Sequence, residues 1–281
     1  MIRSYLFTPA HQEALVRRAQ TRGADVVLLD LEDSVPLEQK SAARQALFAH
    51  VTHLRANKRH VAIRVNRALA ICAADLRAAC VPGVSAVMIP KVSGADHIKL
   101  LDEFLSQCER EAGLPDGQIK LIALIETPTA LLKLPEIATA SPRLSALALG
   151  TEDLSTECGF SPSFETLLAP SQQVIFAARA AGLAAVGLPG SIAEVQNMER
   201  FSETAKAARR IGFDAVLCIH PKQVTVVNET FKTNANERAE AERIIAAYEA
   251  ALHEKRGAVL LDGKMIDPPI VARAQALLAS T

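Results

Sequence analysis

Several short aliphatic runs in this 281-residue chain end in ionisable side chains. One closes on Asp30-Leu31-Glu32-Asp33; others carry Arg64-Val65-Asn66, Pro90-Lys91, Glu126-Thr127-Pro128, Gly150-Thr151-Glu152-Asp153 and His220-Pro221. Carboxylates follow three of these runs with no histidine or cysteine cluster beside them, a donor set suited to a hard, oxygen-seeking cation such as Mg²⁺ rather than zinc. Arg64 and Lys91 add the positive charge that an anionic substrate demands. Arg64 sits inside an apolar run, where an unpaired guanidinium is costly, so it must meet carboxylates, substrate or both. Each residue also has a plainer role. Glu126 is placed to cap a helix beginning at Thr127-Pro128, and Asp267 to cap one beginning at Pro268-Pro269. Asp30, Glu32 and Asp33 are too many for one ion, which suits them to orienting Arg64, Lys91 or metal-bound water. Lys91 reads equally as a barrel salt-bridge residue, Glu152 as a solvated or outlying acid, and His220 as hydrogen-bonded structure.

Side chains at such positions converge only if the runs are strands of one sheet. Eight runs begin near Tyr5, Val26, Val61, Ala86, Leu121, Leu144, Ala184 and Ala215, separated by longer amphipathic stretches. The gaps have the length of βα units, and Pro36, Ser93-Gly94, Pro128 and Gly182 punctuate the helices between them. An open doubly wound sheet can be written from the same alternation. Eight units without a G-x-G-x-x-G after the first strand favour a TIM (β/α)8 barrel, whose site lies at the C-terminal strand ends. We expect the barrel over residues 1–224. Beyond it, 225–281 reads as an extension: a longer helix over 236–256, an extended Ala258-Val259-Leu260-Leu261, a turn at Gly263 and a helix after Pro268-Pro269. Its apolar face must be buried, and a neighbouring subunit is a plausible place.

The composition is that of an ordinary globular protein, 49% apolar and 22% charged. Lys+Arg and Asp+Glu both total 31, which disfavours nucleic acid and anionic membranes as partners. No apolar stretch approaches a membrane span, and the first residues lack the features of a signal peptide, so a cytoplasmic location is expected. Five scattered cysteines read as reduced thiols rather than a disulfide or zinc framework.

Taken in order, the runs Arg3-Ser4-Tyr5-Leu6-Phe7-Thr8-Pro9, Leu29-Asp30-Leu31-Glu32-Asp33-Ser34-Val35, Ile63-Arg64-Val65-Asn66 and Ile89-Pro90-Lys91-Val92 resemble the citrate lyase β-subunit and malyl-CoA lyase family of Mg²⁺-dependent C–C lyases. The resemblance continues through Ile125-Glu126-Thr127-Pro128, Gly150-Thr151-Glu152-Asp153-Leu154, Ile219-His220-Pro221-Lys222-Gln223-Val224 and Gly263-Lys264-Met265-Ile266-Asp267. It implies that Glu126 and Asp153 hold Mg²⁺, that Arg64 binds the substrate's carboxylate and oxyanion, and that Asp267 is an acid/base reaching a neighbouring subunit's site, in a trimer. The residues agree with the metal pair: two carboxylates are what Mg²⁺ takes while keeping several waters. Glu126 then also touches substrate through the metal site, with Glu32, Asp33 and Lys91 behind it. The implied reaction cleaves a β-hydroxyacyl-CoA thioester of citramalyl, malyl or citryl type to an α-keto acid and acetyl-CoA. Alternatives are a citrate lyase subunit acting on an acyl-carrier-protein thioester, a malyl-CoA thioesterase, and a non-catalytic homologue. The first loop departs from the family's Phe-x-Pro-Gly, having Thr8-Pro9-Ala10-His11, and Arg3, Arg17 and Arg18 are the nearest basic candidates for the CoA phosphates.

Overall fold

The computed structural model describes residues 2–279. Aliphatic runs form parallel strands β1 (Ser4–Pro9), β2 (Val26–Asp30), β3 (His60–Arg64), β4 (Val84–Ile89), β5 (Lys120–Ile125), β6 (Leu144–Leu149), β7 (Ala184–Val186) and β8 (Val216–Cys218). They lie in the order β7-β6-β5-β4-β3-β2-β1-β8, and a parallel bridge between Val186 and Ala215 brings the two edges together. The result is a nearly closed (β/α)8 barrel, the expected fold, with helices between successive strands.

Because side chains alternate across a strand, each run contributes one set inward and one outward. Leu28, Ala62, Met88, Leu124, Ala148 and Leu217 belong to one buried interior cluster, with Tyr5 and Phe7 supplying its bulk. The intervening Val27, Leu29, Ile63, Val87 and Leu147 are buried on the outward side. One step beyond the interior set, the same parity carries Asp30, Arg64 and Glu126 into the mouth at the C-terminal ends. The barrel therefore positions these three by continuing its own packing.

The opposite end is closed by an arginine that the sequence reading did not single out. Arg143, just ahead of β6, donates to Asp102 through Nε (2.5 Å), to Asp116 through Nη2 (2.6 Å) and to the Ile119 carbonyl through Nη1 (3.2 Å). Glu109, fully buried, lies 2.7 Å from Nη2 and also accepts the Gly117 and Ile119 N–H groups.

Helix Pro221–Phe231 buries Gln223, Val224 and Val227. The compact unit that contains the barrel runs to Thr230, and a second unit begins at Phe231. Within that second unit, helix Ala235–His253 opens on a reciprocal Asn234–Glu237 cap. Strands β9 (Val259–Leu261) and β10 (Lys264–Ile266) then pair antiparallel. Asp262 (φ 49°) and Gly263 (φ 77°) join them, both left-handed as a two-residue hairpin turn requires. The returning strand β10 was not expected. Helix Pro268–Ala279 follows, burying Val271 and Ala274. Among the described residues no helix is long and apolar enough to cross a membrane. Cys72, Cys80, Cys108 and Cys218 are buried free thiols, and Cys158 is an exposed one.

Arg143→Met removes the partner of a fully buried carboxylate, so we expect a loss of about 3–5 kcal/mol in unfolding free energy, read from urea denaturation. An unchanged midpoint would show that Glu109 is satisfied by its two backbone N–H groups alone.

Candidate active site

Asp30 and Arg64 occupy paired positions on β2 and β3. Arg64 donates to Asp30 through Nε (2.7 Å) and Nη2 (2.8 Å), a bidentate fork in a site where both side chains are largely buried. Its guanidinium lies over the Phe7 ring, 4.7 Å from the centroid, a contact that further stabilises the cation. Asp30 also accepts the Glu32 N–H (2.9 Å), the Ser34 N–H (3.1 Å) and the Ser34 hydroxyl. Burial works against the ionised Asp30, but the Arg64 fork, the Ser34 hydroxyl and the Glu32 N–H outweigh it and hold the carboxyl below its ordinary range. With both oxygens taken, Asp30 is the residue that aims Arg64. Glu32 Oε2 stands 2.9 Å from Nη1 of the same guanidinium and Asp33 Oδ2 stands 3.6 Å away.

Glu126 follows β5 and is almost fully buried. Thr127 caps the next helix by accepting the Ala130 N–H, so the capping role open to Glu126 is already filled. Glu126 Oε1 instead accepts the Lys91 N–H at 2.9 Å. Lys91 adopts a left-handed φ of 46° that non-glycine residues rarely take. Gly150 makes room for Glu126: a Cβ there would lie 2.5 Å from Oε2 and 2.7 Å from the Glu126 Cβ. Asp153 enters from the first turn of helix Thr151–Cys158. The Lys91 ammonium lies 3.4 Å from Glu32, 3.9 Å from Asp33 and 3.7 Å from Asp153.

Five carboxylates thus share two cations. Burial pushes Glu126 up to about 8, and the Glu32 and Asp153 charges add to the shift. Burial also pushes Glu32 up to about 7, opposed by Arg64 and Lys91 and aided by Asp33 and Asp30. Glu32 Oε2 is buried without an aligned hydrogen bond. Such a cluster favours an added cation. The donors are all oxygen, and Glu126 with Asp153 offers the one or two carboxylates that Mg²⁺ takes. Among the described residues no group of three or more His, Cys, Asp or Glu side chains is arranged to hold a metal ion. The residues fit Mg²⁺.

Arg64, Glu126, Asp153, Asp33, Phe7 and Pro9 line a cavity of about 490 Å³, with Leu124, Leu149, Ile192, Leu217 and Ile219 supplying an apolar wall. The basic residues considered for phosphates lie elsewhere. Arg3 precedes β1 and grips Asp25, which precedes β2, through two 3.2 Å bonds. Arg3, ahead of β1, therefore sits at the barrel's N-terminal end and does not line the cavity. Arg17 is paired with Glu13 at 2.8 Å, and neither it nor Arg18 lines the cavity. The Nδ1 of His220 accepts the Lys222 N–H, a structural contact, and Asn66 ties the Leu31 carbonyl to Asp75. Asp267 caps its helix through a long Ile270 N–H contact of 3.4 Å. Sequence reasoning missed Gly150 and the Phe7 contact; the apolar-run parity would have placed both next to Glu126 and Arg64.

A carboxyl whose value is raised by folding stabilises the native state below its ordinary value of 4.5 and loses that contribution as pH rises toward about 8, the range for Glu126. In chelator, the melting temperature should therefore fall between pH 6 and 8.5, and Mg²⁺ should recover it. Glu126→Gln, which keeps a carbonyl for the Lys91 N–H, should flatten that fall. A variant with the wild-type pH dependence would remove Glu126 as its source.

The HpcH/HpaI aldolase/citrate lyase family model matches residues 3–221. The citrate lyase subunit beta of Haemophilus influenzae is 34% identical over 281 residues, covering 98% of this chain and 95% of that protein. A (3S)-malyl-CoA thioesterase of Cereibacter sphaeroides is 32% identical over 280 residues, covering 99% and 93%. Among solved structures, CitE from Mycobacterium tuberculosis in complex with magnesium, acetoacetate and coenzyme A has a TM-score of 0.77 and 29% identity, covering 99% of this chain and 97% of that one. Because the family match spans all eight strands and every acid and base gathered at their ends, the chain belongs to the HpcH/HpaI aldolase/citrate lyase family.

Proposed function

We propose that this protein is a Mg²⁺-dependent C–C lyase that splits a β-hydroxyacyl-CoA thioester of citramalyl, malyl or citryl type into an α-keto acid and acetyl-CoA. The observation that carries the reading is the convergence of Glu126, Asp153 and Asp33 with Arg64 on one cavity, where burial first, and then the Glu32 and Asp153 charges, push Glu126 up to about 8. A relative named citrate lyase subunit beta supports the lyase reading, and one named (3S)-malyl-CoA thioesterase supports a malyl-type CoA thioester as substrate class.

Glu126 and Asp153 would hold the ion, which when bound supplies Lewis acidity and a template for the substrate's carboxylate and neighbouring hydroxyl oxygen. Arg64 has spent two N–H groups on Asp30 and faces Glu32 with Nη1; its remaining donors meet the carboxylate and the oxygen on which charge gathers. Asp30 fixes the plane of that guanidinium. The Lys91 N–H fixes Glu126, and its ammonium offsets Glu32 and Asp33. As the C–C bond breaks, its electron pair passes to the thioester's α-carbon, the carbinol hydroxyl gives up its proton to water, and the carbinol carbon becomes the carbonyl of the keto acid. Asp267 donates the proton that this carbon takes up, and recovers one for the next turnover. Its helix-capping contact uses Oδ1 only. The 231–279 unit would bring it to the barrel of a neighbouring subunit, in a homotrimer.

Incubation with each thioester and Mg²⁺, followed by mass identification of products, should yield the keto acid with acetyl-CoA, and EDTA should abolish it. Free CoA with an intact hydroxy acid would establish a thioesterase instead. Arg64→Lys keeps the charge but not the planar fork, and should lose more than tenfold in kcat/KM, about 1.4 kcal/mol. Near-wild-type kinetics would count against its role. Mixing inactive Asp267→Asn with inactive Glu126→Gln protein should restore part of the activity once subunits exchange; no recovery after demonstrated exchange would refute action between subunits.

A further inference from the structure

Between β7 and helix Met198–Ile211, residues 188–197 form a strap without helix or strand. It is nonetheless held from two sides. Glu152 Oε1 accepts both the Ser191 hydroxyl (2.6 Å) and the Ile192 N–H (3.0 Å). Gln223, fully buried, donates Nε2 to the Ile192 carbonyl (2.7 Å) and the Glu194 carbonyl (3.1 Å), while its Oε1 accepts the Ile219 N–H (2.8 Å) and the His220 N–H (3.0 Å). The amide's two donors and its acceptor oxygen are thereby fully used.

The strap lies at the seam where the barrel is least joined, since β7 and the start of β8 meet through the Val186–Ala215 bridge. Gly187 N–H to the Ala215 carbonyl (2.9 Å) and Asp214 N–H to the Ala185 carbonyl (2.8 Å) flank that bridge. The strap also divides two cavities. Ile192 lines the one of about 490 Å³ that holds Arg64 and Glu126, whereas Ser191, Ala193 and Glu194 line another of about 430 Å³. Of the five aliphatic residues in the first cavity's wall, Leu124, Leu149 and Leu217 are anchored in strands and Ile219 directly follows one. Ile192 has no strand to hold it.

We infer that Glu152 and Gln223 are positioning residues that clamp this strap across the β7–β8 seam, and that Ile192, so held, determines which acyl substituent the cavity admits. Glu152 neighbours Asp153 in sequence but turns its carboxylate to the strap. Both of its bonds reach one oxygen, so a glutamine carbonyl serves the same purpose. The substrate half of the inference rests on the lyase reading; the clamp does not.

The test compares Glu152→Gln, Glu152→Ala and Ile192→Ala by backbone hydrogen exchange and by kinetics with malyl-CoA and citramalyl-CoA, which differ by one methyl at the carbinol carbon. Exchange at 191–197 should match wild type in Glu152→Gln and rise roughly tenfold or more in Glu152→Ala. Glu152→Ala should raise KM roughly fivefold while kcat moves by less than about threefold, with Glu152→Gln restoring KM. Ile192→Ala should shift the kcat/KM ratio roughly tenfold toward the bulkier thioester. Unchanged exchange in Glu152→Ala, or an inactive Glu152→Gln with a protected strap, would overturn the clamp; an unchanged ratio would overturn the role of Ile192. If wild-type protein turns over neither thioester, the lyase reading fails. Exchange then still decides the clamp, and the relative affinity for pyruvate and glyoxylate with Mg²⁺, which Ile192→Ala must shift toward pyruvate, decides Ile192.

Discussion

Arg64 is a single buried guanidinium facing more carboxylate charge than it can neutralise. Asp30 takes its Nε–Nη2 fork and is itself saturated by Ser34 and the Glu32 N–H, so that pair closes on itself. Glu32 and Glu126 are then left in a low-dielectric mouth with only Nη1 and the Lys91 ammonium to oppose them. Burial and mutual repulsion drive both acids toward their neutral forms. Local details that cost stability serve this arrangement. Lys91 takes a left-handed φ so that its N–H reaches Glu126, and position 150 has no Cβ, leaving Glu126 its space. A divalent cation would relieve the repulsion, which supports the proposal that Glu126 and Asp153 hold one.

The two ends of the barrel treat an arginine in opposite ways. Arg143 spends its donors on Asp102, Asp116 and the Ile119 carbonyl, with Glu109 beside it, and lies away from the 490 Å³ cavity. Arg64 keeps donors in hand and faces that cavity. A saturated arginine at the N-terminal face suits a role in the fold; an unsaturated one at the C-terminal face suits the proposed role in binding ligand, in line with the division of labour in this fold.

The alternation of eight short aliphatic runs with longer amphipathic stretches at βα spacing made the barrel legible, whereas strands buried on both faces show no hydropathy alternation of their own. Once the strands are placed, the parity that buries Leu28, Ala62 and Leu124 brings Asp30, Arg64 and Glu126 together. Other features lay beyond a linear reading. The Arg143 cluster joins residues 102, 109, 116 and 143, whose proximity exists only in the folded chain. Arg3 precedes the first strand, so the barrel rule that puts the site at C-terminal strand ends already assigned it to the other end. The β9–β10 hairpin was signalled by Asp262-Gly263, but β10 is three residues long and too short to show alternation.

The proposed lyase site requires that Glu126 and Asp153, and not the Asp30–Glu32–Asp33 group, hold the divalent ion. Crystals grown with Mn²⁺ in place of Mg²⁺ would locate it through the metal's anomalous scattering. The account predicts one strong peak bridged by Glu126 and Asp153, with Asp30 still forked to Arg64. A peak ligated by Asp30 or Glu32, or none within reach of Glu126 at saturating Mn²⁺, would contradict it.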